Sequence, residues 1–445
     1  MEIHVGLSSD LESLPLVVEP AAETVIESQE LLSLIQILTL NLFWFGYQFF
    51  WFLVLIVLLP KQIKDIMGDD LKGTGMSIVS LVSGAFNLFL AVIFGALNDR
   101  FNSKWGKRRP WMVVGSLGMC VFLYGLWPFD AIWVYTLGYL GLTISSILSS
   151  VPFNGFVADV TPLTQKGTVS AIMGSMNLAG YLAAAIVGAF VEDLGYPYVY
   201  LLMSLILISS TLWTIFSVPE PKKHMTESQL QPIHWPSFFR DLVRPLYMHR
   251  NFRLVFMGRF LAQLGISTVQ QFLQYWIEDC IKDSGMSATR SVSLAMIPLL
   301  TISPIAALFI PKTRRKIVVY ISTFLMVATC IIMMLTRTYL GALFVSAIFG
   351  LGYGPYISCE FAMLLDVLPN AEGTQSVAKD ISLWHSAIVL PQIIATPLAG
   401  WIRDGFESVG KANGIECLGY KIIFAICIVY FLAGAEMTRR IQGMA

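Results

Sequence analysis

The sequence predicts an all-α membrane protein: twelve transmembrane helices in two six-helix bundles related by a pseudo-two-fold axis. Three observations predict it. The 445 residues are 56% hydrophobic and only 13% charged, with a mean hydropathy of +0.69, whereas a soluble domain carries about 25% charged residues. Runs such as GMSIVSLVSGAFNLFLAVIFGAL (75–97) contain no charge and are long enough to cross a hydrocarbon core of roughly 30 Å. The two halves also resemble each other. ADVTPLTQKGTVS (158–170) and LDVLPNAEGTQS (365–376) share Asp-Val-x-Pro and then Gly-Thr-x-Ser, offset by 206–207 residues. The same offset lays Lys107, Arg108 and Arg109 over Thr313, Arg314 and Arg315.

Taken in order, residues 1–32 read as an acidic disordered tail. Residues 1–30 hold seven acids, and the first sixty residues hold no Lys or Arg, so the basic leader of a signal peptide is missing. Apolar runs place helices 1–6 at 33–60, 75–97, 110–128, 131–158, 168–190 and 197–218, an N-terminal bundle over 33–218. The polar, proline-bearing segment 219–250 (PEPKKHMTESQLQP) reads as a cytoplasmic linker. Helices 7–12 follow at 251–278, 288–310, 317–336, 338–365, 378–402 and 419–438, a C-terminal bundle over 251–440. Loops 2–3, 4–5, 6–7, 8–9 and the C-terminal tail hold twice as many Lys and Arg as the opposite loops. That asymmetry expects the basic side, with both termini, in the cytoplasm. A plasma membrane is expected rather than an organelle membrane.

Several classes are disfavoured. No nucleophile–base pair or phosphate-cradling loop stands out, so no enzyme and no cofactor is expected. The glycines of FGLGYGPY (349–356) lie in an apolar helix and read as a flexible or close-packed stretch. The six cysteines form no CxxC and no Cys/His cluster, so no metal site is expected. Cys280 and Cys417 fall at outer helix ends, where a disulfide could form, although buried free cysteine is the commoner state. A net charge of zero points to no nucleic-acid partner.

Paired repeats around a central site are a transporter architecture, and polar residues inside membrane helices usually face a cavity or a partner helix. On helix 7, Arg259, Gln263, Gln270 and Gln274 fall within an arc of about 60°. Amides on one face suit hydroxyl-rich solutes, because each donates and accepts; interhelical bonding is the alternative. Arg259, nearer the basic end, is a gate residue or a snorkelling one. Asn41, Trp44, Gln48 and Trp51 share an arc of about 80° on helix 1, as binding platform or packing aromatics. Helix 4 offers Thr143, Ser146, Ser150 and Asn154; of these Asn154 is the substrate candidate, small hydroxyls more often marking close packing. Helix 5 carries Gly180, Ala184 and Gly188 at the spacing of a tight helix contact. Tyr353, Tyr356 and Glu360, nearly in line on helix 10, and Asp380, Trp384, His385 and Gln392 on helix 11 complete the interior polar set. Buried acids are the better proton carriers, so coupling is ranked Glu360, Asp380, then His385. The partners implied are a small solute and a proton, acting on a functional monomer in a bilayer.

The charged stretch NDRFNSKWGKRRPW (98–111) stands between two apolar runs. It either fixes topology alone or also serves as an inner gate. In the second reading Asp99, Arg100, Gly106, Arg108 and Arg109 work with Asp159, and Arg314 and Arg315 with Asp366. These exchangeable acid–base pairs lie near water, where exchange costs little.

This stretch resembles the loop after helix 2 in the major facilitator superfamily. It is similar in particular to the branch of plant sucrose transporters and melibiose-type glycoside symporters, which read Ser-Asp-Arg, a spacer, Gly, basic residues, Pro and an aromatic. WFGYQFFW (44–51), with Pro60 and Gly68, resembles the sucrose-transporter first helix. RFLAQLGISTVQQFLQYW (259–276) and KDISLWHSAIVLPQIIATPLAG (379–400) resemble facilitators near that branch. The resemblance implies the major facilitator fold and secondary active transport of a sugar or glycoside, by proton symport through alternating access. A facilitator for another organic solute and a non-transporting receptor are the alternatives. One departure matters: sucrose transporters carry Arg in helix 4 five residues before its cytoplasmic Asp, and here that position is Asn154, which puts sucrose itself in doubt.

Overall fold

The structure, a computed structural model, describes residues 31–100, 103, 105–126, 131–220, 235–309, 315–367 and 374–442. Among these no strand occurs, and nine helices are long and apolar enough to cross a membrane. One of the nine, Leu34–Asn87, turns at Gly68 and supplies two spans. Arg109–Gly125 and Thr374–Ala412 bring the spans to the twelve that the sequence predicts.

Helix 1 starts at Leu34 and is broken twice. The first break is at Asn41, whose amide donates to the Ile37 carbonyl at 2.8 Å and competes with the backbone ladder. The second is the wide-turn segment Leu53–Leu58, where the Leu59 N–H reaches five residues back to Val54. Pro60 explains it: its ring excludes the carbonyl four residues earlier from a normal turn. The Pro60 carbonyl instead accepts from the Tyr275 hydroxyl of helix 7 at 2.8 Å. Gly68, at φ 73° and ψ 176°, then reverses the chain into helix 2, which ends at Arg100; that backbone geometry is one only glycine adopts freely.

Helices 3–6 are Arg109–Gly125, Ile132–Val160, Lys166–Gly188 and Tyr196–Ser217. Helices 7–12 are Arg250–Cys280, Ala288–Leu308, Arg315–Leu335, Tyr339–Val367, Thr374–Ala412 and Leu418–Arg439. Two of the expected spans need correction. Helix 11 runs ten residues past 402, so Arg403 lies on a helix, not in a loop. The segment 219–250 is not wholly irregular, since Trp235–Met248 is a helix. Helix 11 outlasts its apolar run because the charged residue just beyond it finds partners, Arg403 bonding Asp279 and Asp404.

In lipid no hydrophobic force drives one helix against another, so small residues that let backbones approach set the contacts. Two such seams join the halves. Gly188 of helix 5 lies against Ser293 of helix 8, and Gly73 of helix 2 against Gly400 of helix 11. Ser77 strengthens the second by donating to the Pro397 carbonyl at 2.9 Å. Gly180 meets the Phe45 carbonyl of helix 1. The helix 10 glycines are close-packed: Gly350 and Gly354 lie on the helix 8 backbone at Leu299 and Ser303, and Gly352 on helix 9 at Ser322. Large apolar side chains such as Phe216, Phe324, Leu335 and Leu340 stay exposed on the outside, as a bilayer-facing belt requires.

The ends can be matched. Leu32 exchanges backbone bonds with the Gln165 side chain in loop 4–5. The C-terminal segment is tied to Asn251 and Lys316. The start of helix 1 and the end of helix 12 therefore lie at the basic end of the molecule.

At the opposite end Cys280 and Cys417 form a disulfide, with Cα atoms 6.1 Å apart. The commoner free state is thus not the one adopted, and the bond closes a separation of 137 residues from helix 7 to helix 12. Lys282 bonds Glu416 beside it at 2.7 Å and holds that carboxyl below its ordinary value. A paired Cys280→Ser, Cys417→Ser variant is expected to lose up to about 4 kcal/mol of stability by loop-closure entropy. Thermal unfolding with and without reductant measures it; identical curves for variant and oxidised protein would exclude a structural role.

Candidate functional site

Four polar constellations stand out, two inside the bundles and one at each end. The first joins helices 7, 10 and 11. Arg259 and Glu360 are 5% and 2% exposed. Arg259 Nη1 donates to Glu360 Oε2 at 2.6 Å, and the Tyr356 hydroxyl to Oε1 at 3.0 Å. Tyr356 and Glu360 are four residues apart, so helix 10 places them on one face. The Arg259 guanidinium carbon lies 3.9 Å from the centre of the Trp384 ring, a cation–π contact from helix 11. Tyr353, one turn away, stacks on Phe349 at 5.8 Å. Arg259 is therefore neither snorkelling nor at a mouth: it is the counter-ion of Glu360. Along the same helix Gln263 donates to Ser267 at 3.2 Å, Gln270 is half-buried, and Gln274 is buried with Oε1 unpartnered.

The second constellation joins helices 1, 4 and 5. The Tyr47 hydroxyl bonds Ser146 at 2.6 Å, and Trp51 Nε1 donates to the same oxygen at 3.2 Å. Gln48 donates to Asn177 Oδ1 at 2.7 Å. Trp44 packs edge-on against Tyr47 and Phe153. Asn177 and Tyr47 were not singled out from the sequence, although Asn177 lies one turn from Gly180 on an otherwise apolar helix. Asn41 belongs to the helix break, fully buried. Asn154 and Gln392 are exposed and outside both clusters.

The third lies at the basic end. Arg108 Nε donates to Asp159 at 2.7 Å. Glu220, at the end of helix 6, accepts from the N–H groups of Lys107 and Arg108, both at 3.0 Å. An acid at a helix N-terminus is favoured by the helix dipole. Gly106 allows this approach: its φ is +110°, and a side chain there would strike the Glu220 carboxylate. Arg109 donates to the Val218 carbonyl and Arg315 to that of Ala362. Glu220 was missed because it follows Pro219 in a segment that reads as linker. The side chains of Asp99, Arg100, Asp366, Asp380 and His385, and residue Arg314, lie outside the described residues.

Gly155 is where Arg108 crosses helix 4, since a methyl group there would land on the guanidinium. Gly155→Ala should therefore detach Arg108 from Asp159 and raise labelling of a cysteine placed at the neighbouring buried Val160 by a membrane-impermeant thiol reagent applied from the basic end. Unchanged labelling would refute a bracing role for this contact.

The fourth constellation was not foreseen. At the outer end Lys72 is 0% exposed and donates to Asp279 at 2.7 Å and Asp69 at 3.1 Å, its ammonium 4.9 Å from the Tyr275 ring. Arg403 reaches Asp279 at 2.7 Å and Asp404 at 2.8 Å, and the Tyr420 hydroxyl also bonds Asp279. Asp404 accepts from Thr74 N–H and hydroxyl at 2.6 and 2.7 Å. Lys64 pairs with Glu278, Lys411 with Asp70, and Arg290 with Asp193. Among the described residues, every ion pair joining the two halves lies at this end. These pairs tie the two halves together at this end. A sequence signal existed: Lys64, Lys72 and Arg403 stand on the side poor in cations, where acids cluster at helix ends.

The family model for the Major Facilitator Superfamily matches residues 37–378, more than half of the chain. The chain belongs to the Major Facilitator Superfamily. Members of this superfamily are membrane transporters. The chain is 25% identical over 158 residues to a sucrose transport protein, SUC4, of Arabidopsis thaliana, covering 31% of this chain and 30% of that protein. It is 20% identical over 266 residues to a glucuronide carrier protein homolog of Escherichia coli, covering 57% and 56%. The alignments thus span less than two thirds of these relatives. The solved nucleoside transporter NupG superposes with a TM-score of 0.67 at 14% identity, over 90% of this chain and 98% of that one, a likeness of fold.

Proposed function

We propose that this superfamily member is a secondary active transporter of a small polar solute, a sugar or glycoside, moved with a proton by alternating access. Glu360 carries the reading. Among the described residues it is the one carboxylate counted as buried, and its partners are one guanidinium and one hydroxyl. An ionisable residue inside a membrane bundle is a functional candidate by default, and a single acid with a detachable cation can accept a proton and release its partner. Gln48, Asn177, Gln263, Gln270 and Gln274 line two facing bundles with the amide chemistry that hydroxyl-rich solutes need. The sucrose and glucuronide relatives favour the same class, while Asn154 argues against sucrose.

In this mechanism the halves 33–218 and 251–440 rock about the central polar residues. The outer network closes one side, and the Arg108–Asp159–Glu220 brace organises the other. The basic end faces the cytoplasm with both termini, the host membrane is the plasma membrane, and one chain suffices.

The test is uptake of labelled sugars by proteoliposomes with and without an inward proton gradient, comparing wild type with Glu360→Gln. Gradient-driven accumulation that disappears in the variant is expected. Uptake indifferent to the gradient and intact in the variant would make the protein a facilitator with Glu360 structural.

A further inference from the structure

Arg259 is paired in an unusual way. Only Nη1 bonds Glu360; Nε is buried and has no hydrogen-bond partner. The fork that guanidinium offers to a carboxylate is therefore half used. The Trp384 ring covers the face of the group, which leaves its N–H edge as the side open to a ligand. The described groups facing Glu360 are Arg259 from helix 7 and Tyr353 and Tyr356 from its own helix. Helix 11 brings Trp384, and helix 9 brings Arg315 only to the Ala362 carbonyl.

Charge balance now constrains what can be carried. With Glu360 ionised, the pair is neutral and offers no net attraction to an anion. When a proton binds Glu360 Oε2, the carboxyl becomes neutral and Arg259 is left as a buried, uncompensated cation. Removing one partner of a buried pair is strongly unfavourable for that reason. A neutral solute would leave the cost standing. A solute with its own carboxylate would remove it, taking the Nε and Nη2 donors, whose hydrogens point the same way, together in a bidentate bond.

We propose, resting on the proton-symport reading, that the transported solute carries a carboxylate that replaces Glu360 on Arg259 when Glu360 takes up the proton. Proton and anion then bind cooperatively, because each removes the obstacle to the other. The loaded carrier has gained one positive and one negative charge, so the transport step is electroneutral. Lys72 and Arg403 do not serve this role, since both already hold carboxylates at the outer closure.

The experiment uses the full chain in proteoliposomes with an inward proton gradient and three matched pairs of solutes: galacturonate and galactose, gluconate and glucitol, lactate and glycerol. The carboxylate member of at least one pair is expected to accumulate at least about tenfold over its neutral partner, a difference of ~1.4 kcal/mol. A potassium diffusion potential should leave that accumulation unchanged. Glu360→Gln, which holds the site in its neutral-acid form, should exchange the same carboxylate across the bilayer without concentrating it, at about tenfold lower half-saturation at neutral pH. Arg259→Lys, which keeps the charge and loses the fork, should weaken the carboxylate and keep the coupling. Accumulation of a neutral member that follows the membrane potential and is lost in Glu360→Gln would overturn the carboxylate assignment and leave proton symport standing. Failure of every pair to accumulate under the gradient would count against both.

Discussion

Asp279→Asn is expected to shift the protein toward a state open at the outer end. Asp279 of helix 7 accepts from Lys72 of helix 2, Arg403 of helix 11 and Tyr420 of helix 12. One carboxylate thus offsets two cations that are 0% and 2% exposed. An asparagine keeps the shape and removes the charge, leaving Lys72 with Asp69 and Arg403 with Asp404. Removing the shared carboxylate in this way costs up to about 3–5 kcal/mol, which falls on the closed state alone if the network opens to water in the other. A bias of that size changes a two-state ratio by about a thousandfold. Distances between spin labels on helices 2 and 11 would report it as a new, longer population. A distribution identical to wild type would mean that the Gly73–Gly400 seam closes this end unaided. Adding Lys72→Met to Asp279→Asn should recover part of the closed population, because one cation fewer is then short of a carboxylate.

Arg259→Gln is expected to destabilise the protein more than Arg259→Gln combined with Glu360→Gln. The single change takes the cation from buried Glu360, which must then bind a proton or keep its charge with only the Tyr356 hydroxyl, at a cost of up to about 3–5 kcal/mol. The double change leaves two amides that can bond each other. Replacing both partners of a buried pair is often close to neutral. Thermal unfolding in detergent at neutral pH measures the difference, and acid should narrow it, since protonating Glu360 removes its stranded charge. Equal losses in the single and double variants would show that Arg259 acts through its packing on Trp384 and not through Glu360.

Much of the architecture follows from one-dimensional patterns. A bilayer tolerates few spanning structures, so run length, the break at 219–250 and the repeated Asp-Val-x-Pro motif suffice for twelve helices in two halves. The burial of Arg259, Gln263, Gln274 and Glu360 was also legible, because a charged or amide group in an apolar helix is costly wherever it points.

The partners were not legible. Sequence placed Arg259 near the basic end and Glu360 deep in helix 10, but only packing brought them to 2.6 Å. Lys72 counted as an outer-side cation, yet it is fully buried between Asp69 and Asp279. Glu220 looked like linker and caps helix 3.

The sequence by itself determined which residues must lie in the bilayer and which of them are expensive there, since transfer from water is a property of each side chain and its near neighbours. The tertiary structure alone decided which charges neutralise one another and which end is closed. An ion pair depends on distances between helices, and those are set by where Gly73, Gly188, Gly354 and Gly400 let backbones meet.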